Sequence, residues 1–285
     1  MKALNRRKFI QQSSALAGVA ALVPSALMSQ TVRPSQFEIG FQSWIVRNEL
    51  QKDFIGTMKQ LVGMGYQSME LCSPAGYAQA GFGHLQQYKA GELKKIINDA
   101  GLSCISCHYG MPELRNNLQE RIDFAKELGL TQMVAASFWL PKNAPLSEWQ
   151  KAANELNKIG EQTKNHGLQM VFHNHNGELE KIDGQIIYDV LLKELDDSVV
   201  KLQFQVWVVI MGYKAADYFR KHPGRFISAH LYDWPGEGDK QVPVGKGIVD
   251  WKDFFEAANV GGLKNCFVEM GMENLKESAE FLKNL

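Results

Sequence analysis

Seven consecutive residues, Phe172-His173-Asn174-His175-Asn176-Gly177-Glu178, bring together two imidazoles, two carboxamides and a carboxylate. At the end of a β-strand, alternate side chains share a face, so His173 and His175 would point the same way. Imidazole changes charge near neutral pH and ligates metals, which makes such a pair suited to acid–base work, metal binding or substrate hydrogen bonding. Two other apolar runs also close on ionisable groups: Ile227-Ser228-Ala229-His230 and Phe267-Val268-Glu269. Burying a lone charge is costly, so His230 and Glu269 need partners, and on adjacent strands they could share a divalent cation or pair with each other. Glu70 and His108, each alone at the end of its own run, are weaker candidates for the same site.

These residues are positioned by a repeated element. A helix-like stretch, a Gly-Leu or Gly-Tyr step, a β-rich run and a polar residue recur at Gly65-Tyr66 to Glu70, Gly101-Leu102 to His108, Gly167-Leu168 to His173 and Gly262-Leu263 to Glu269. Alternating βα units imply a parallel sheet. Eight strands are expected, at residues 38–43, 68–71, 103–108, 132–136, 169–173, 200–205, 226–231 and 266–270, which predicts a single (β/α)8 TIM barrel. Barrels of this kind build their sites at the C-terminal ends of the strands. A doubly wound sheet usually carries a Gly-rich phosphate loop after its first strand, and Gln42-Ser43 leads to Trp44 and Arg47 instead. The two long irregular stretches, 73–89 and 233–247, both follow strand ends, where site loops belong. Trp139 and Trp234, with Trp44 and Trp207, fall at or after strand ends, where a flat apolar ring can stack on a sugar.

Composition narrows the partners. Of 285 residues, 31 are Lys or Arg and 31 are Asp or Glu, so there is no basic footprint for nucleic acid. Residues 1–30 carry Lys2, Arg6, Arg7 and Lys8, no acid, and an apolar run from Ala15 to Leu27: an export signal in outline, with Arg6-Arg7 resembling a twin-arginine signal. Its removal leaves 31 − 4 = 27 positive against 31 negative charges, a net of −4 on a barrel domain of residues 31–285. The expected location is the periplasm, the alternative being an anchor formed by an uncleaved N-terminus; the run is short for a span, so no stable membrane segment is expected after processing. Four cysteines are too few for a disulfide framework. Cys104-Ile105-Ser106-Cys107-His108 matches the haem-attachment pattern, but it lies within a strand-like run and no haem is expected.

The chain from Phe37 to Leu285 resembles the sugar phosphate isomerase/epimerase family of xylose isomerase-like TIM barrels. The likeness rests on Gly65 to Leu71, Phe172-His173-Asn174-His175, Pro223-Gly224-Arg225-Phe226 with His230 and Asp233, Gly245-Lys246-Gly247-Ile248-Val249-Asp250-Trp251, and Phe267-Val268-Glu269. It implies a divalent metal held by Glu, Asp, His and Glu. His230 and Glu269 match the last two ligands; His173 stands where the first Glu would and Gln205 where the Asp would. Fewer carboxylates favour Zn²⁺ or Mn²⁺ over Mg²⁺. The resemblance implies an isomerase or epimerase that moves a proton next to the carbonyl of a sugar or sugar derivative. Glu269 with His173 or His175 would serve as acid and base, and Glu70, His108, Asn174, Trp139, Trp234 and Lys246 as substrate contacts. The alternatives are a lyase or hydratase acting on oxidised glycosides, and a sugar-binding barrel that has lost its metal.

Overall fold

The computed structural model describes residues 38–141 and 143–285, so the export signal expected in residues 1–30 lies outside the described residues. Eight parallel strands close a barrel in sequence order: β1 (Ile39–Gln42), β2 (Ser68–Cys72), β3 (Ser103–Tyr109), β4 (Gln132–Ala135), β5 (Gln169–His173), β6 (Val200–Gln205), β7 (Phe226–Leu231) and β8 (Asn265–Val268). β8 pairs with β1 through Gly40 and Phe267, which seals the ring. The expected (β/α)8 barrel is present, and each strand falls within two residues of its expected bounds. The last strand is displaced toward the N-terminus, which leaves Glu269 just beyond it on the barrel rim.

Local sequence explains the alternation. The helix Phe54–Met64 begins where the Asp53 carboxylate accepts from Gly56 N and ends at Gly65, whose φ of +109° is a left-handed turn that a side chain would strain. Tyr66 then enters β2, and its hydroxyl donates to Leu275 O of the last helix, tying the two ends of the ring together. Along β2 alternation sends Met69 and Leu71, both fully buried, toward the helices. It sends Ser68, Glu70 and Cys72 the other way.

That inner face is polar. Gln42 lies opposite Glu70, Glu70 opposite Ser106, Gln203 opposite Ser228 and Gln205 opposite His230. Glu70 on β2 bonds to Gln203 on β6 and His230 on β7, strands that are not its neighbours, so these contacts cross the barrel interior. A ring of side chains of this type normally consists of branched apolar residues. Here it is hydrogen-bonded instead.

Among the described residues no helix is long and apolar enough to cross a membrane. The four cysteines are free and buried, and Cys104 and Cys107 are not bridged.

The loop after β7 is fixed at its root by one carboxylate. Asp233, fully buried, accepts from Trp234 N and Val249 N through Oδ1 and from Gly245 N and the Trp251 indole through Oδ2. This explains the Gly245 to Trp251 motif in structural terms: it supplies donors to Asp233. Asp233→Ala would orphan four donors, so it should lower stability by about 3 kcal/mol, measured as the urea midpoint, whereas Lys246→Ala on the exposed part of the loop should change it by less than about 0.5 kcal/mol.

Candidate active site

Five strands contribute to one buried chain of charge. On β2, Glu70 Oε2 meets His230 Nε2 at 2.5 Å, His108 Nε2 at 3.0 Å and the Gln42 amide at 2.6 Å, while its Oε1 accepts from Ser106 Oγ at 2.6 Å and Gln203 Nε2 at 2.8 Å. On the other side of the same imidazole, His230 Nδ1 lies 3.2 Å from Glu269 Oε2. His230 therefore sits between two carboxylates. Glu70 and His230 have no exposed surface, and Glu269 is 14% exposed at its side chain, so the chain reaches solvent through Glu269.

Ionisation follows from this arrangement. Burial alone would lower His230, but the Glu269 and Glu70 charges and hydrogen bonds outweigh it and raise it to about 9. Burial would raise Glu70, yet His108 and His230 hold it well below the usual carboxylate range. Glu269 behaves in the same way, with burial opposed by His230 and by the Gln205 amide, and is held low. His173 is kept neutral by burial and by its histidine neighbours, and His175 is lowered to about 4, chiefly by the protein around it. Glu178 moves in the opposite direction from Glu269: burial raises it.

Above the chain opens a cavity of about 610 Å³, within the range of small-ligand sites. His108, His173, His175, Gln205, Glu178 and Glu269 provide its polar wall; Trp44, Tyr77, Trp139 and Trp207 provide much of its apolar wall. Trp139 is 63% exposed and holds a left-handed φ of +57°. That backbone costs a non-glycine residue about 1–3 kcal/mol and is retained where the surroundings over-determine it; here Ser137 Oγ accepts from Trp139 N.

The expected site residues separate into groups. His173, His175, His108, Glu269, Gln205 and Trp139 all line the cavity, with Glu70 and His230 directly beneath it. Asn174 is buried outside the lining, where its Oδ1 accepts from Gln205 N and joins the ends of β5 and β6. Trp234 and Lys246, expected to contact substrate, belong to the loop anchored by Asp233 and do not line the cavity; the Trp234 indole donates to Gly238 O. Gln205, expected as a metal ligand, is engaged otherwise. Its Oε1 accepts from Trp207 N and its Nε2 donates to Glu269 Oε2 at 2.5 Å, so it presents an N–H rather than a lone pair and orients Glu269. Glu178, Gln42, Ser106 and Gln203 were not expected, and Glu178 was read only as part of the His173 to Glu178 cluster, with no role of its own. Polar residues at alternate positions, Gln203 and Gln205 of β6 above all, were the available signal.

The donors for a divalent cation are imidazoles. His108, His173 and His230 offer ring nitrogens all within 4.8 Å of one another, and the buried His173 Nδ1 has no hydrogen-bond partner. Three imidazoles with carboxylates alongside suit Zn²⁺ or a similar borderline ion better than Mg²⁺. His173 Nδ1 is open to a cation, whereas both His230 nitrogens face carboxylates and His108 Nε2 faces Glu70 and Gln203 Oε1, so a cation held by all three imidazoles would displace those hydrogen bonds and the His230 proton. Cys72 also borders the cavity, but burial pushes its thiol well up, which argues against a thiolate nucleophile or ligand.

Residues 58–285 match the sequence profile of the xylose isomerase-like TIM barrels. The chain belongs to that family. Among curated proteins it is similar to the inosose dehydratase of Geobacillus thermodenitrificans, 26% identical in an alignment 215 residues long that covers 62% of this chain and 71% of that enzyme. Among solved structures it is similar to a sugar phosphate isomerase/epimerase from Parabacteroides distasonis (TM-score 0.74, 23% identity, 92% of this chain and 97% of that one). It is also similar to the probable 3-DHS dehydratase AsbF of Bacillus anthracis (TM-score 0.66, 13% identity, 87% of this chain and 99% of that one). At those identities the two structures attest the barrel of the family rather than its chemistry.

The charge chain has a measurable pH signature. His230 keeps its proton up to about pH 9 when folded against 6.5 as its ordinary value, so its pairs stabilise fully below pH 6.5 and are lost as pH rises toward 9. Glu70 and Glu269, held below 4.5, contribute above that value and lose their contribution on acidification. In chelator-dialysed protein the urea midpoint should fall between about pH 6.5 and 9, and His230→Gln should lack that alkaline slope. A slope that survives in the variant would place the ionisation elsewhere.

Proposed function

We propose that this barrel is a lyase that eliminates water or an alcohol next to the carbonyl of an oxidised sugar or cyclitol. The carrying observation is the placement of two carboxyls in contrasting surroundings on one cavity: Glu269, held low by His230 and Gln205, and Glu178, which burial raises. Pairs of titratable groups pushed apart by their surroundings mark a base and an acid. Elimination needs both at once.

In this reading, Glu269 takes the proton from the carbon next to the carbonyl. The C–H electron pair forms the carbon–carbon double bond of the enolate as the carbonyl electrons move to oxygen. When the carbonyl re-forms, the pair expels the oxygen substituent on the next carbon, which leaves as water or an alcohol after accepting a proton from Glu178. His230 and the Gln205 amide hold the Glu269 carboxylate in place, and Glu70 in turn fixes His230. A divalent cation held by His173 and His108 beside His230 would, when bound, supply polarisation of a carbonyl oxygen. The aromatic wall excludes water and offers flat faces to the ring of the substrate.

The similarity to an inosose dehydratase supports elimination over the isomerase or epimerase expectation. The role of Gln205 in orienting Glu269 favours an enzyme over a sugar-binding barrel. The export signal read in residues 1–30 belongs to the same proposal and favours a free oxidised sugar over a phosphorylated metabolite.

Purified protein incubated with 2-keto-inositol and with 3-keto-glucosides should give a product lighter by one water or one alcohol, with the ultraviolet absorbance of an enone. Glu269→Gln should lower kcat at least about 100-fold and Glu178→Gln about 10- to 100-fold. Elimination that persists in Glu269→Gln would remove that residue as the base, and recovery of epimerised starting material with no mass loss would overturn the lyase reading.

A further inference from the structure

We infer that the cavity continues into a second sugar subsite, so that the substrate is a glycoside or disaccharide whose second ring lies beyond Trp44, Tyr77 and Trp139. This rests on the proposed chemistry only in taking the first cavity as the place where the oxidised ring reacts. A neighbouring cavity of about 430 Å³ is lined by Gln79, Glu113, Asn116, Asn117, Gly76 and Gly110, and shares Trp44, Tyr77 and Trp139 with the first. Three aromatic side chains border both spaces. A single bound ring has no use for a second chamber of this size, whereas two linked rings would place one on each side of the shared walls.

The shared walls are held in place. The Arg47 guanidinium stacks 4.4 Å from the centre of the Trp44 ring and donates to Trp44 O, and Trp44 meets Tyr77 edge to face at 5.8 Å. Tyr77 N is bonded to Ser73 O, and Ser73 Oγ donates to Glu113, which also accepts from Gly110 N. Trp139, largely exposed and in a left-handed backbone conformation, is the third wall. Aromatic faces with flanking amides are the chemistry of a pyranose: the rings cover its C–H faces, and Gln79, Asn116 and Asn117 can donate to and accept from hydroxyls. The second chamber lacks the histidines of the first, so its role is binding rather than reaction.

Two kinds of measurement separate this inference from the lyase reading. By calorimetry on the intact protein, cellobiose should bind at least ten-fold more tightly than glucose, because only the disaccharide reaches both chambers. Asn116→Trp, at an exposed helix end lining only the second chamber, should reduce cellobiose to the affinity of glucose and leave glucose unchanged. Gln79→Ala should weaken cellobiose by a smaller factor and also leave glucose unchanged. Equal affinities for the two sugars in the unsubstituted protein, no binding of either, or a preference that survives Asn116→Trp would each overturn the second subsite. Turnover of keto-sugars is the separate readout: its absence with cellobiose preference intact would sink the lyase reading and leave the subsite standing.

Discussion

The site depends on one imidazole held between two carboxylates inside a sealed barrel. Removing three charges from water is expensive, and their mutual attraction offsets that cost only if the remaining lone pairs are satisfied. The inner face of the barrel meets that condition: Gln42, Ser106 and Gln203 complete Glu70, and Gln205 completes Glu269. Loss of the His230 imidazolium would leave two buried carboxylates uncompensated, at about 3–5 kcal/mol. The polar interior and the candidate chemistry are therefore one feature, since the residues that neutralise the barrel are those that orient its reactive carboxylate.

Much of the barrel was legible in the sequence because its period is enforced locally. Asp53 starts a helix, Gly65 ends it, and β-rich residues follow; the same phrase repeats around the ring. The end of β8 was harder to place, since nothing in Val268-Glu269-Met270 distinguishes a paired residue from the first unpaired one. Of the site, His173, His230 and Glu269 were legible because an ionisable group closing an apolar run has few bland explanations. Glu70 and His108 were read as lesser substrate contacts because each stands alone on its strand, and the partners that reach them across the barrel, Gln203 and His230, come from strands three or four positions away around the ring.

Gln205 and the loop after β7 show the limits of carrying positions over from a family pattern. A side chain at a ligand position need not aim a lone pair at the metal, and Gln205 donates to Glu269 instead. Likewise, the Gly245 to Trp251 motif looked like a substrate loop, but its backbone and indole N–H groups converge on Asp233. In both cases the direction of the hydrogen bond decides the role, and residue type alone does not give direction.

The cysteines carry a further consequence. All four thiols are buried and unpaired, and burial suppresses their ionisation, so the nucleophilic form needed for oxidation or exchange is scarce. The fold contains no covalent crosslink to form and no reactive thiol to protect. Once folded, the barrel therefore keeps the same covalent structure under reducing or oxidising conditions.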